Sequence, residues 1–220
     1  IDNATILAYK KANKKINIKK NINNVIYVSE NAKTDISLYD IILSVDGKDI
    51  NNIKELQDYI KTKNEGDIVY FKVISNKKEV DRKAEVININ GELKVGIAFL
   101  TTYEYETDPS ITIKTKSSES GSSGGLMLSL AIYNAITKED ITKGKTIVGT
   151  GTIDILGNVG KIDGVKYKIL GAVKNKADLF ICPKDNYDEA MKVKKEHNLD
   201  INIVSVETFD EAINYLENNL

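Results

Sequence analysis

The stretch SESGSSGGLMLSLAIY, residues 118–133, joins a run of small polar residues directly to a run of apolar ones. The apolar part predicts a buried helix, and the serines and glycines lie at its start. Such a junction has three interpretations: a flexible linker, a phosphate-binding loop, or the site of a reactive serine. The interpretation that holds determines both the fold and the chemistry of the second half of the chain.

The first two interpretations fit the residues poorly. A linker would separate independent elements, whereas this stretch is short and runs straight into a helix rich in Leu, Met and Ala. A P-loop needs a lysine after its last glycine, and no lysine follows Gly124 or Gly125.

A reactive serine has the surroundings that it needs here. A serine at the start of a helix lies at the positive end of the helix dipole, beside backbone N–H groups that can hold an oxyanion. Glycines allow a substrate backbone to come close. The alternative without chemistry is a serine N-cap with glycines that form the turn, and the local sequence by itself favours that alternative.

A reactive serine also needs a base. The chain has a single histidine, His197, in the charged stretch KKEHN, where we expect a solvated side chain. A Ser-His-Asp triad is therefore disfavoured. Lysine remains, and the pKa of a lysine has to fall through burial or nearby positive charge before it accepts a proton near neutral pH.

The stretch KIDGVKYKILGA offers two lysines, Lys166 and Lys168, on one predicted helix. The helical wheel does not choose between them. Lys168 has Gly171 and Ala172 three and four positions further on, which leaves space around its amine. For either lysine, the alternative is a surface side chain whose ammonium group reaches solvent.

The first half of the chain alternates short strand-like runs with turns. NVIYVSE and DIILSVDGKDI predict strands with a hairpin at Asp46-Gly47, NIKELQDYIKTK predicts a helix, and DIVYFKVI with EVDRKAEVI predicts a second hairpin. ATILAYKKANKK predicts a helix ahead of them. This order indicates a small β-rich module with one clear helix.

The second half alternates helix and strand patterns, which predicts an α/β fold. The predicted helices are GGLMLSLAIYNAIT, GVKYKILGAVKNKA, NYDEAMKVKKEHN and TFDEAINYLENN, the last capped by Thr208. DLFICP and INIVSV predict strands, and TIVGTGTIDILGNVGKI predicts a strand, a turn at Gly157-Asn158 and a second strand. The boundary between the halves falls near residues 98–108.

Composition limits the partners that the chain can have. Its 31 basic and 32 acidic residues give a net charge of -1, so we expect no nucleic-acid partner. Cys182, the one cysteine, is expected to be a small buried hydrophobe. No stretch approaches the ~18 apolar residues of a membrane span. Because the chain starts at Ile1, we expect a fragment or a processed form.

Residues 120–183, SGSSGGLMLSLAIYNAITKEDITKGKTIVGTGTIDILGNVGKIDGVKYKILGAVKNKADLFICP, resemble the proteolytic domain of the Lon proteases, in particular the bacterial membrane-anchored PDZ-Lon type without an ATPase module. The family motif G-P-S-A-G aligns with residues 121–125 and implies Ser123 as the nucleophile. The family's G-x-x-x-K motif aligns with residues 164–168 and implies Lys168 as the base. The two lie 45 residues apart, which suits this type.

The same resemblance implies supporting residues around this dyad. TGTI matches the strand that the family places beside the dyad, so Thr150 is implied as an orienting hydroxyl, with Gly124 and Ser122 as further orienting or oxyanion support. The chain departs from the family pattern at three positions. Ser122 replaces the proline, Gly124 replaces the alanine, and Ser120 lies where full-length Lon proteases carry aspartate.

The resemblance covers about residues 105–220, and the first half resembles a PDZ domain more loosely. It implies three segments: a lead-in helix at 1–15, a PDZ-like peptide-binding domain at 16–98 and a Lon-type α/β (α+β) proteolytic domain at 99–220. It implies a serine endopeptidase independent of ATP, with no metal or other cofactor, whose partner is a peptide or protein substrate.

The resemblance further implies a bacterial protein whose domains lie outside the cytoplasm, anchored to the membrane only through a segment absent from this chain. The fragment itself is expected to be soluble, and a homo-oligomer is left open. The alternative from another functional class is a PDZ peptide-binding module carried on a degenerate, inactive protease scaffold.

Overall fold

The computed structural model describes residues 1–114 and 121–220. These residues form two compact units. One unit combines Ile1–Asn17 with Glu106–Leu220, and the other is formed by Ile18–Tyr105. The chain therefore begins in one unit, passes through the other and returns, an arrangement that the sequence did not predict.

Six α-helices and thirteen strands are assigned among the described residues. The helices are α1 (Asp2–Lys11), α2 (Ile53–Ile60), α3 (Gly125–Ile136), α4 (Val165–Lys174), α5 (Tyr187–Glu196) and α6 (Phe209–Asn219). The strands are β1 (Lys15–Val28), β2 (Ile41–Val45), β3 (Lys48–Asp49), β4 (Ile68–Ser75), β5 (Lys78–Glu85), β6 (Ile87–Ile89), β7 (Glu92–Lys94), β8 (Ile97–Asp108), β9 (Ile147–Gly149), β10 (Thr152–Ile153), β11 (Val159–Gly160), β12 (Leu179–Pro183) and β13 (Asn202–Val206).

The unit formed by Ile18–Tyr105 is built on a sheet with the order β5-β4-β2-β1-β8, in which β3 extends β2. Alternation along β4 buries Val69, Phe71 and Val73 on one face, as a half-buried strand requires. Both predicted hairpins are present. Asp46 and Gly47 connect β2 to β3 with φ values of 45° and 75°, which fits a type I′ turn.

Helix α2, which NIKELQDYIKTK predicts, covers the core of this sheet with Leu56 and Ile60. Its N-cap is Asn52, whose side chain accepts a hydrogen bond from the Glu55 backbone N–H at 3.0 Å. Such a cap satisfies one of the N–H groups that a helix leaves unpaired at its start. The short β6–β7 hairpin and strand β8 follow, and the sequence pattern had not marked them as strands.

The other unit contains a parallel sheet with the order β13-β12-β9, together with helices α3 to α6. All five residues of β12, LFICP, are buried. Cys182 in this strand is buried, as predicted, and burial raises the pKa of its thiol to about 11. Thr208 caps α6 as predicted, accepting from the Glu211 N–H at 3.1 Å.

The predicted strand in TIVGTGTI is in fact two strands in two different sheets. Strand β9 joins the parallel sheet, whereas β10 pairs with β11 in a separate hairpin. The chain leaves the parallel sheet at Thr150, whose N–H still donates to the Ile181 carbonyl at 2.9 Å. The next N–H, that of Gly151, donates instead to the Ser123 carbonyl at 2.8 Å. The break in the strand therefore provides a hydrogen bond to the turn that contains Ser123.

Helix α1 packs against α3 in the α/β unit. Ala4, Ala8 and Tyr9 are buried in the same core cluster as Leu126 and Leu130 of α3. The first helix is therefore part of the core of the α/β unit. Among residues 1–114 and 121–220, no helix is both long and apolar enough to cross a membrane.

Candidate active site

Ser123 lies in a short 3₁₀ turn, Ser122–Gly124, that leads directly into α3. Ser123 is half-buried, whereas Ser122 and Gly124 on either side of it are exposed. The turn therefore presents one serine toward the protein and leaves its neighbours open to solvent. Ser120, the other position at which the chain departs from the family pattern, lies outside the described residues.

Lys168 lies on α4, next to the buried face formed by Val165, Ile169 and Ala172. Its side chain is half-buried, and its Nζ atom lies 3.1 Å from the Oγ atom of Ser123, within hydrogen-bond distance. Lys166, the other candidate on the same helix, is exposed. The structure thus brings Ser123 and Lys168 together across 45 residues of sequence.

The backbone carbonyl of Ser123 is held by two donors. The Thr150 hydroxyl donates to it at 3.0 Å and the Gly151 N–H at 2.8 Å. Thr150 is only 1% exposed, so its hydroxyl depends on this bond for its partner. In return, the Leu126 N–H at the start of α3 donates to the Gly151 carbonyl at 3.0 Å. The serine turn is therefore fixed to the end of the parallel sheet.

The two glycines after Ser123 have different surroundings. A Cβ atom at Gly125 would lie 2.9 Å from Cγ2 of Ile153, so only glycine lets β10 approach α3 this closely. A Cβ atom at Gly124 would meet no atom of the described residues within 4 Å. Among residues 1–114 and 121–220, the Gly124 N–H has one long contact, of 3.5 Å, with the Gly121 carbonyl, which leaves it available to a bound oxyanion.

Asn186 is a buried polar residue that the sequence did not single out, and it is bonded to the segment that leads into α4. Its side-chain amide makes two hydrogen bonds, each of 2.9 Å, to the backbone of Ile162, shortly before α4 begins. Asn186 stands at the N-cap position of α5, where an asparagine is usually interpreted as a cap. Its sequence position therefore gives no signal of this distant partner.

His197 is exposed at the end of α5, in agreement with the solvated side chain expected there. Within the ranges that the structure describes, no group of three or more His, Cys, Asp or Glu side chains is arranged to hold a metal ion. The groups that the structure brings together at the site are a hydroxyl and an amine, with backbone N–H groups at a helix start.

Two family models match the chain. Residues 114–218 match the C-terminal proteolytic domain of Lon protease (S16), and residues 10–86 match the PDZ domain. Among curated proteins, the chain is similar to Lon protease of Metamycoplasma arthritidis, at 35% identity over 96 residues, or 44% of this chain and 11% of that protein. Lon protease of Dictyoglomus thermophilum is 31% identical over 94 residues, or 43% of this chain and 12% of that protein.

The matched region thus spans about one-ninth of the length of these relatives. Among solved structures, the chain is similar to PDZ domains of SdrC-like proteins. That from Listeria monocytogenes is 22% identical, with a TM-score of 0.33, over 36% of this chain and 86% of that one. That from Listeria innocua is 26% identical, with a TM-score of 0.33, over 36% of this chain and 92% of that one.

The family matches agree with the structure, in which the β-rich unit with one covering helix precedes the serine turn of the α/β unit along the chain. The chain combines a PDZ domain with a C-terminal proteolytic domain of the Lon protease (S16) family.

Proposed function

We propose that the chain is a serine endopeptidase in which Ser123 is the nucleophile and Lys168 is the general base. The observation that carries the proposal is the distance of 3.1 Å between Lys168 Nζ and Ser123 Oγ. A nucleophile and its base have to lie within hydrogen-bond reach, and these two side chains do so at the start of a helix. The Lon-type domain match supports the same reaction class.

The reaction begins when the Lys168 amine takes the proton of the Ser123 hydroxyl while Oγ forms a bond to the carbonyl carbon of a peptide. The carbonyl π electrons move to oxygen, and backbone N–H groups of the serine turn, that of Gly124 among them, stabilise the resulting oxyanion. When the intermediate collapses, the C–N bond breaks and the leaving amine takes the proton from Lys168. Water then attacks the ester in the same way and releases the acid.

Thr150 has a positioning role in this proposal. Its hydroxyl and the Gly151 N–H hold the Ser123 carbonyl, which fixes the backbone from which Oγ projects. Ser122 is exposed and has no role in proton transfer, and Gly124 leaves open space in which a substrate backbone fits. The acylation step needs only the peptide and the deacylation step needs only water, so we propose that hydrolysis proceeds without ATP or an added metal.

The PDZ domain has the role of presenting peptide or protein substrate. A sheet edge can capture an extended peptide by strand addition, which requires no chemistry from the domain. The resemblance to PDZ-Lon proteases also leads us to propose that the protein acts outside the cytoplasm, anchored by a segment outside these 220 residues. Fractionation of cells that express the full gene product tests that location.

The experiment that tests the dyad is a peptidase assay on Lys168→Met and Lys166→Met, with and without ATP and a chelator. Both variants remove one amine from the same helix, but only the first removes the amine beside Ser123. We expect Lys168→Met to lose at least about 10²-fold in kcat and Lys166→Met to keep most activity. A dead Lys166→Met beside an active Lys168→Met would overturn the assignment. A parent chain that binds peptide without cleaving it would favour a binding module on an inactive scaffold.

A further inference from the structure

Asn186 is fully buried and uses both ends of its side-chain amide on one backbone residue. The Ile162 N–H donates to Asn186 Oδ1, and Asn186 Nδ2 donates to the Ile162 carbonyl, each at 2.9 Å. Asn186 is 0% exposed and Ile162 is 6% exposed. A buried amide is costly unless its hydrogen bonds are made, so these two bonds fix the distance between the two residues.

The bonded segment is the one that leads into the lysine helix. Ile162 lies between β11 and α4, and its side chain belongs to the same core cluster as Val165 and Ile169. Helix α4 lacks a side-chain cap of its own, because its N-cap is Gly164 in a left-handed conformation with φ of 72°. The Asn186–Ile162 pair is therefore the side-chain restraint at the start of the helix that carries Lys168.

Asn186 also does not cap the helix that it begins. It occupies the N-cap position of α5, yet its side chain makes no cap hydrogen bond there. An asparagine at that position ordinarily contributes to its own helix. Here the amide is directed instead to Ile162, 24 residues away.

Residues 181–186, the segment that ends at Asn186, also restrain the serine side of the dyad. The Ile181 carbonyl in β12 accepts from the Thr150 N–H at 2.9 Å, and Thr150 in turn holds the Ser123 carbonyl. Five residues after Ile181, Asn186 holds the entry to α4. Residues 181–186 therefore connect to both halves of the dyad, one through Thr150 and the other through Ile162.

We infer that Asn186 is a positioning residue of the Ser123–Lys168 dyad, which sets the distance from Lys168 Nζ to Ser123 Oγ by holding the backbone of Ile162. The inference rests on the proposed function. The distance between the two atoms, 3.1 Å, already lies toward the long end of a hydrogen bond, so a small displacement of α4 breaks it. Misplacement by about 1 Å can cost on the order of 10²-fold in rate.

The test is steady-state kinetics on Asn186→Ala in the full chain, at a temperature well below the melting temperature of the variant. We expect kcat to fall by about 10- to 100-fold while KM stays within about threefold, because substrate binding is untouched. Asn175→Ala is the matched control, since its side-chain amide donates to the backbone carbonyl of Gly171 at the exposed C-terminal end of α4, whereas Asn186 holds the segment before the helix begins. It should keep the parent kcat.

Asn186→Ser supplies the same measurement if the alanine variant does not fold, because a small polar side chain leaves room for water in the site. A folded Asn186 variant with unchanged kcat, or one in which only KM rises, overturns the inference. Ser123→Ala and Lys168→Met are assayed in parallel. If those two retain activity the proposed function fails, whereas if they are inactive and the Asn186 variant turns over normally, only the positioning role fails.

Discussion

At the scale of single residues, the two adjacent glycines after Ser123 differ in what they contribute to the serine turn. Gly125 is helical, with φ of -58° and ψ of -48°, so alanine would fit its backbone, but the added Cβ would meet Ile153 at 2.9 Å. Gly124 has open space around it and an ordinary φ of -90°. Packing therefore requires Gly125, whereas the fold does not require Gly124.

We therefore expect Gly125→Ala to displace β10 from α3, to lower the melting temperature and to reduce peptidase activity by at least about tenfold. Gly124→Ala should fold as well as the parent or slightly better, by up to about 1 kcal/mol, because alanine restricts the unfolded chain. Thermal melting and turnover of both variants check this. Equal loss of stability in the two would show that the turn is strained as a whole.

Several site residues could be predicted from the sequence because their signals are local. The turn at the start of α3 follows from the glycine pattern and the apolar run after it, and Ser123 as the candidate nucleophile follows from the resemblance to the family motif. The partner of the Thr150 hydroxyl could not be predicted, because it is the Ser123 carbonyl, 27 residues away in the sequence, which only the fold brings close. Asn186 was missed because its chain position is that of a helix cap, while its partner lies 24 residues away.

At the scale of elements, Asp46 ties the end of helix α2 and the chain beyond it to the sheet of the PDZ-containing unit. Its carboxylate accepts from the Tyr70 N–H at 2.8 Å, the Tyr59 hydroxyl at 2.8 Å and Lys63 Nζ at 2.9 Å. Partial burial raises the pKa of Asp46, but the bonds from Tyr70, Lys63 and Tyr59 together outweigh it and hold that pKa below its usual value. The Tyr59 hydroxyl, followed by the Asp46 carboxylate, raises the pKa of Lys63.

A carboxyl group whose pKa is lowered by folding stabilises the protein above its ordinary pKa, about 3.9, and this stability is lost as pH falls through the lower folded value. We expect Asp46→Asn, which tolerates the left-handed turn, to lose about 1–2 kcal/mol of unfolding free energy at neutral pH. The difference from the parent should shrink below about pH 4. Denaturant unfolding at a series of pH values measures it, and a difference that stays constant with pH contradicts the account.

The elements themselves were largely predictable, because β4, β5, α2 and α6 have clear periodicity and local caps or turns. The division of TIVGTGTI into two strands could not be predicted, because the pattern of branched residues continues through the point where the backbone changes its hydrogen-bond partners. The β6–β7 hairpin was missed, although Asn90 and Gly91 between its strands have the left-handed φ values typical of such turns.

At the scale of the whole molecule, helix α1 at the start of the chain belongs to the core of the α/β unit, most of which lies at the end of the chain. Periodicity predicts that α1 has a buried face, but it does not tell which core covers that face. Ala8 is fully buried in the cluster with α3, whereas Lys10, two residues further on, is exposed. The α/β unit therefore needs both ends of the chain.

We expect Ala8→Asp to destabilise the α/β unit by several kcal/mol, because it places an unpaired charge in a core. Hydrogen exchange should accelerate in α3, β9 and β12 while β4 and β5 keep their protection, and Lys10→Ala should change neither. Accelerated exchange confined to β4 and β5 would show instead that α1 supports the other unit.

The most direct test of the dyad is covalent labelling of the folded chain by a serine-directed fluorophosphonate, followed by mass-spectrometric mapping. The account predicts one label, on Ser123, with Ser122→Ala labelled like the parent and Lys168→Met labelled at least about 10²-fold more slowly. Circular dichroism of each sample verifies that the chain is folded. Absence of labelling in the folded parent, a label on Ser122, or unchanged labelling of Lys168→Met would contradict the Ser123–Lys168 dyad.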